Sequence, residues 1–260
     1  MPPYAPPFSV RSEGESPIDG LRRRVRALEG AQGLAAGQGV ALGLPLLDRH
    51  LPWGGLPRGA LHEVLAGDAG SATLFAVALA ARLAGSEGDI LWCIRAGALD
   101  AGLPCPAGLA AIGLDPARLV LVTARNDADA LWAMEEGLRS RAVAAVIGEA
   151  VEASLTATRR LALAAEANGA AFLLRPDAGD PPPSAAATRW RIAAAPAAPD
   201  TGLPPALSRV EGRFRAELFR CRGGAPGAWL MGWCDEAGGL AVSAALHGGA
   251  ADPAPARLAG

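Results

Sequence analysis

The residues with the most chemical promise form one turn, Leu65-Ala66-Gly67-Asp68-Ala69-Gly70-Ser71-Ala72-Thr73, between an apolar strand-like run and a helix-like run. A phosphate-binding loop of the form G-x-x-x-x-G-K-[ST] cradles phosphates with backbone N–H groups, reaches the β and γ oxygens with its Lys and holds Mg²⁺ with its Ser or Thr. On that template Ala66 and Ser71 take the glycine places, Ala72 takes the lysine place, and only Thr73 matches. The chain has 24 basic residues and no lysine at all, so every one is arginine. A broad guanidinium fork does not replace a compact ammonium at that depth. The expectation is therefore no ATP hydrolysis and no cofactor. Gly67 and Gly70 are read as permitting a tight strand-to-helix turn, with weak anion binding at the helix N-terminus as the alternative.

A second concentration of charge runs from Arg209 to Arg222, with Arg209, Arg213, Arg215, Arg220 and Arg222 set against Glu211 and Glu217. On a strand, Arg213, Arg215 and Glu217 share one face while Phe214, Ala216 and Leu218 share the other. Phe219 and Cys221 then fall on the polar side, which predicts a bulge or change of face near Leu218. The strip is a candidate contact for single-stranded DNA or an acidic partner, or simply a solvated strand face; Trp190 and Arg191 would add a stacking group if they lie nearby. His50, His62 and His247 are neither paired with a Cys nor spaced as metal ligands, and His62 inside a strand is read as packed rather than catalytic. Asp127, Asp129, Glu135 and Glu136 read as a dipole-compatible helix start and a solvent face. No nucleophile–base pair is defensible.

The elements that must position these residues follow from periodicity. Ser16-Pro17 caps an amphipathic helix reaching about Glu29, with a stripe of Ile18, Leu21, Val25 and Leu28 and a flank of Arg22, Arg23, Arg24 and Arg26. Such a helix docks on its own domain, on a partner protein or, through its arginines, on DNA. Residues 30–43 read as a Gly/Ala-rich linker. From residue 45, short apolar strands alternate with helices, the pattern of a mostly parallel sheet with crossover helices. The predicted units are strand 60–66, helix 73–83, strand 89–94, strand 119–123, helix 127–139, strand 142–147, helix 154–168 and strand 171–174. Thr188 to Ile192 is a candidate strand. Segments 213–222, 228–234 and 240–246 read as three antiparallel strands joined by Gly-rich turns. The division expected is an N-terminal arm over 1–43, one α/β domain over 44–246 and a disordered tail over 247–260.

Several stretches resemble known proteins. Trp53-Gly54-Gly55-Leu56-Pro57-Arg58-Gly59-Ala60-Leu61-His62-Glu63-Val64 resembles the G-G-L-P-x-G lead-in to the core of RecA-type recombinases. Cys93-Ile94-Arg95-Ala96-Gly97-Ala98-Leu99-Asp100 is similar to the recombinase strand that carries the catalytic glutamate, with Ala96 at the glutamate's place. Strand Val143 to Ile147 resembles a Walker B strand, with Gly148 at the aspartate place and Glu149 one residue late. Within RecA-like proteins, the degenerate loop together with Arg220-Cys221-Arg222-Gly223-Gly224 and Trp229-Leu230 resembles the ImuA family, over roughly residues 18–246. The resemblance implies a RecA-like, SulA-related accessory protein of damage-induced mutagenic translesion synthesis. Its implied partners are an ImuB-type Y-family polymerase homologue, RecA and an error-prone replicative-type polymerase. A SulA-like cell-division inhibitor and a residual nucleotide-dependent recombinase are the alternatives.

Composition bounds these readings. With 260 residues, 51% hydrophobic and 19% charged, the chain can bury a core, and a net charge of −2 excludes a globally basic nucleic-acid coat. Cys93, Cys105, Cys221 and Cys234 show no C-x-x-C spacing and read as free thiols of a reducing compartment. No signal-peptide pattern opens the sequence and no apolar run is long enough to span a bilayer, so a cytoplasmic protein without metal or membrane is expected. Contact candidates are Leu21, Val25, Leu28 and Arg22 on the arm, and Arg213, Arg215, Arg220 and Arg222 on the strip.

Overall fold

The computed structural model describes residues 37–97, 103–195, 211–234 and 239–246. The expected N-terminal helix, with Leu21, Arg22, Val25 and Leu28, lies outside the described residues, as do Arg209, the 235–238 turn and the tail from 247.

The runs of Val, Ile, Leu and Ala pair into one nine-stranded sheet. Strands β1 (Leu61–Ala66), β2 (Asp89–Arg95), β3 (Leu119–Ala124), β4 (Val143–Glu149), β5 (Ala170–Pro176) and β6 (Thr188–Ala194) are followed by β7 (Glu211–Cys221), β8 (Gly227–Cys234) and β9 (Gly239–Leu246). Their order in space is β3-β2-β4-β5-β1-β6-β7-β8-β9. The six from β3 to β6 are mutually parallel, and β6 to β9 pair antiparallel. Strands covered on both faces read as continuous apolar runs, and β2 and β5 are of this kind. The Thr188–Ile192 run is a strand and joins the parallel part to the extension.

The helices are α1 (Pro45–Asp48), α2 (Ala69–Ala84), α3 (Pro106–Ala111), α4 (Asp127–Arg139) and α5 (Leu155–Asn168). Asn126 and Ser154 cap α4 and α5 with side-chain oxygens that accept from the Asp129 and Ala157 amides. Helix α2 begins at Ala69, four residues before the predicted start at Thr73, because Asp68 is an N-cap. Short helices α1 and α3, each opened by proline, lack the length for a periodic signal and were not anticipated.

Two cores result. On one face α2 buries Phe75 beside Trp190 and Phe214, and Trp190 stacks in turn near Trp229, with centroid separations of 5.2, 6.1 and 6.1 Å. On the other, α4 and α5 cover Leu61, Val146 and Leu173 with Met134, Leu138 and Leu161. The Gly54-Gly55 pair has a packing reason. Gly54 sits at φ +72°, and a Cβ on Gly55 would collide with the Val40 carbonyl. That approach lets Val40 exchange both backbone bonds with Leu56, at 2.8 and 3.1 Å, so Leu42, inside the expected linker, and Leu44, just after it, are buried in the first core.

Candidate functional site

At the C-terminal ends of β1, β2, β4 and β5 the sheet opens into a crevice of about 530 Å³, lined by Gly70, Thr73, Trp92, Arg95, Glu149 and Arg175 among others. In open α/β sheets ligands bind in such crevices, at points where the strand order reverses. The turn singled out from sequence forms one wall. Only Gly67 and Asp68 separate β1 from α2, so Ala69 and Gly70, which the phosphate-loop template places in the loop, are wound into the first helical turn. The Asp68 carboxylate accepts the Ser71 N–H at 2.8 Å. The Ser71 hydroxyl, and after it that amide, hold the acid below its usual carboxylate range, and the cap puts a negative group where a phosphate-binding loop presents open N–H donors. Ala72, at the lysine place, is fully buried, while Thr73 is half-buried and lines the crevice.

The opposite wall carries an acid that the sequence template placed one residue away. Residue 148 faces α4, and a Cβ there would run into the Met134 side chain. Glu149 points to the other side of the sheet, because successive residues on a strand alternate faces, and it lines the crevice together with Thr73. Its Oε1 accepts from Trp92 Nε1 at 3.3 Å, and burial raises its pKa against the opposing effect of that bond. A carboxylate thus faces the crevice from position 149, one residue past the template's aspartate place. Ala96, at the place of the recombinase glutamate, is exposed.

The rim of the crevice is tied down. Asp127 pairs with Arg95 at 3.0 Å and accepts from the Val151 and Glu152 amides at 3.1 and 2.8 Å. Arg175 Nη2 donates to the Val151 carbonyl at 3.1 Å. Asp127 therefore braces a loop and does more than favour its helix start. Glu135, read as solvent-facing, is 5% exposed and pairs with Arg139 and Arg160, because α5 lies across that side of α4. Behind the rim, the fully buried Glu63 receives Arg175 at 2.8 Å and Arg189 at 2.6 Å, with Arg189 also donating to the Pro182 carbonyl at 3.0 Å. These partners stand 112 and 126 residues from Glu63, so no local pattern announces them.

His62 is packed, as expected. Its Nε2 lies 3.0 Å from the Pro57 carbonyl and its Nδ1 2.8 Å from Thr188 Oγ1. The carbonyl can only accept, so Nε2 carries the proton and Nδ1 accepts from the Thr188 hydroxyl, whose oxygen takes the Trp190 indole N–H at 2.8 Å. Burial pushes the His62 pKa down to about 4. Among the described residues no His, Cys, Asp and Glu group forms a metal-binding cluster. Cys93, Cys221 and Cys234 are buried free thiols, and Cys105 is an exposed one.

The arginine strip lies elsewhere, on the antiparallel extension. Phe214, Ala216 and Leu218 are buried, so Arg213, Arg215 and Glu217 face outward. The expected bulge is present: Leu218 pairs with Trp190 and Arg220 with Arg189, leaving Phe219 as the extra residue and turning Cys221 inward. Arg215 pairs with Glu217 at 3.6 Å. Arg222 tethers a loop, donating to the Ala185 carbonyl at 3.0 Å. The structure thus gathers Arg213, Arg215 and Arg220 on one face and sets Arg222 apart from them in role.

Sequence reading missed a further feature. Among the described residues β3 ends the sheet, paired on one side only, and exposes Val120 at 45% and Leu121 at 41%. Natural edge strands are usually blunted by charge, proline or covering elements, and β3 contains neither charge nor proline. Nearby in sequence, α4 exposes Trp132 at 62%.

These features define a class: an α/β protein with a RecA-like core and an antiparallel extension, whose β1–α2 turn carries alanine at the lysine place of the phosphate-loop template. No protein-family profile matches the chain. It is 39% identical over 211 residues to Protein ImuA of Caulobacter vibrioides, in strain NA1000 / CB15N and in strain ATCC 19089 / CIP 103742 / CB 15, covering 74% of this chain and 82% of that protein. The chain belongs to the ImuA family. No described helix is long and apolar enough to cross a membrane.

Proposed function

We propose that this chain is a non-catalytic RecA-like accessory protein of damage-induced mutagenic translesion synthesis, acting in the cytoplasm through protein–protein contacts. Its partner is a Y-family polymerase homologue of the ImuB type, with RecA and an error-prone replicative-type polymerase as further contacts. Family membership supports the place in the mutagenesis system. The observation that carries the non-catalytic reading is the β1–α2 turn, where alanine fills the lysine place inside the core and Asp68 satisfies a helix-terminal amide.

The open edge of β3 supports a binding role. An unpaired row of backbone donors and acceptors beside exposed Val120 and Leu121 is a template for a strand or apolar face of another chain. The arm residues Leu21, Val25, Leu28 and Arg22 supply a second contact in this reading. Co-purification of the full chain with the polymerase homologue tests it. The complex should form with the unaltered chain and be lost with Val120→Glu and Leu121→Arg at unchanged thermal midpoint. Absence of a complex at micromolar concentrations of two folded proteins, or a complex indifferent to both β3 and arm substitutions, refutes the reading.

A further inference from the structure

We infer that the outer face of β7, rimmed by Arg213, Arg215 and Arg220 around Phe219, is a path for single-stranded DNA. The sheet extension has one face in the core and the other outside it. Helices α1 and α2 meet β9 from the core side, and α4 and α5 pack on β1 to β5. No described helix packs on the outer side of β7 to β9. Arg215 is flanked across the sheet by Ala193 and Leu230, and Glu217 by Arg191 and Ala228. A chain can lie close to such a surface, and alternate strand residues spaced by roughly 6.6 Å set Arg213 and Arg215 at an interval suited to successive phosphates, with the Glu217 carboxylate next along the face.

Charge and stacking choose the occupant. Arg189, Arg191, Arg215 and Arg220 lie on this face against Glu63, Asp177 and Glu217, one more guanidinium than carboxylate among these residues on a chain whose net charge is −2. Arg189 and Arg191 are each held by an ion pair, to Glu63 at 2.6 Å and Asp177 at 2.6 Å. Both guanidinium carbons stand over the Phe219 ring, at 5.1 and 5.2 Å from its centroid. The bulge that ejects Phe219 from the strand's alternation therefore mounts a half-buried aromatic ring on two fixed cations, with exposed Arg215 and Arg220 close by in the strand. Cationic groups alone would suit any polyanion. An aromatic platform among them suits unstacked bases, whereas duplex DNA keeps its bases stacked inside. The choice of DNA over RNA rests on the proposed function.

The test is anisotropy of a labelled oligothymidylate with the full chain and no polymerase partner, so it can fail while the partner reading stands. Binding is expected at low salt, weakening as salt rises. Replacing Arg215 and Arg220 together (Arg215→Glu, Arg220→Glu) should weaken it at least about tenfold and lower the log–log salt slope by about 1.4. Phe219→Leu should weaken it about tenfold with little change in slope. Arg125→Glu, a charge reversal at an exposed arginine just after β3, at the other end of the sheet order from β7 to β9, should leave binding unchanged. If the double reversal lowers the thermal midpoint, the milder Arg215→Gln, Arg220→Gln pair must show the same direction. No binding at low salt, equal binding by the strip variants, or equal affinity for duplex overturns the inference. So does displacement by polyglutamate as effective as by unlabelled oligothymidylate, which would assign the face to an acidic protein.

Discussion

Acidification should destabilise this fold through His62 in a way that one substitution removes. The imidazole is fully buried and neutral, donating to the Pro57 carbonyl and accepting from Thr188. Its pKa falls from 6.5 to about 4 in the folded chain. At pH 7 both folded and unfolded chains hold it neutral, so it contributes no pH-dependent term. Below pH 6.5 the unfolded chain takes up a proton that the folded chain refuses until about pH 4, so stability falls across that interval and levels below it. At roughly 1.4 kcal/mol per tenfold change in the protonation equilibrium, the full loss is about 3 kcal/mol. That is a large part of a stability of about 5–15 kcal/mol. The assay is the urea midpoint against pH for the unaltered chain and for His62→Gln. The variant should start less stable at pH 7, having lost a fitted buried hydrogen bond at a cost of about 1–3 kcal/mol, and the gap should close toward pH 4. Groups that titrate in both proteins cancel in the difference. Two curves parallel from pH 7 to 4 would refute the assignment of a neutral, desolvated imidazole.

Other substitutions probe the crevice and its supports. Ala72→Lys should restore the missing residue type without restoring ATP turnover, while lowering stability by at least about 2 kcal/mol because the site is buried and filled; a phosphate-release assay that detects turnover would show that the helix start and the Asp68 cap do not block the site. Asp68→Ala removes the acceptor for the Ser71 amide and should cost about 1 kcal/mol, read as a fall in thermal midpoint of about 2–4 °C. Glu63→Ala leaves Arg175 and Arg189 buried without their carboxylate and should cost about 3–5 kcal/mol in denaturant unfolding, whereas replacing all three by apolar residues of similar volume should recover most of that.

How legible these features were depended on how far apart their parts lie in the chain. Helix α4 was bounded from sequence at Asp127 and Arg139 as observed, because its cap, its apolar spacing and its last basic residue are all local. The Phe219 bulge was equally readable, since Phe219 and Cys221 break an alternation that Phe214, Ala216 and Leu218 establish. The start of α2 was misplaced because an eight-residue motif template was followed where one N-cap decides. Asp68 can satisfy the Ser71 amide, and nothing in the missing lysine's position keeps Ala69 and Gly70 out of a helix.

The sequence by itself determined that no ammonium side chain exists to meet a triphosphate, that short apolar runs alternate with capped helices, and that arginines alternate with core residues on β7. These are properties of residue type and of spacings shorter than one element. Tertiary structure alone decided that β3 ends the sheet with Val120 and Leu121 uncovered. It also turned Glu149 into the crevice, joined Glu63 to two distant arginines and set Phe219 on Arg189 and Arg191. Each of these depends on which strands become neighbours and in what register, and a shift of one residue in that register moves every side chain to the opposite face.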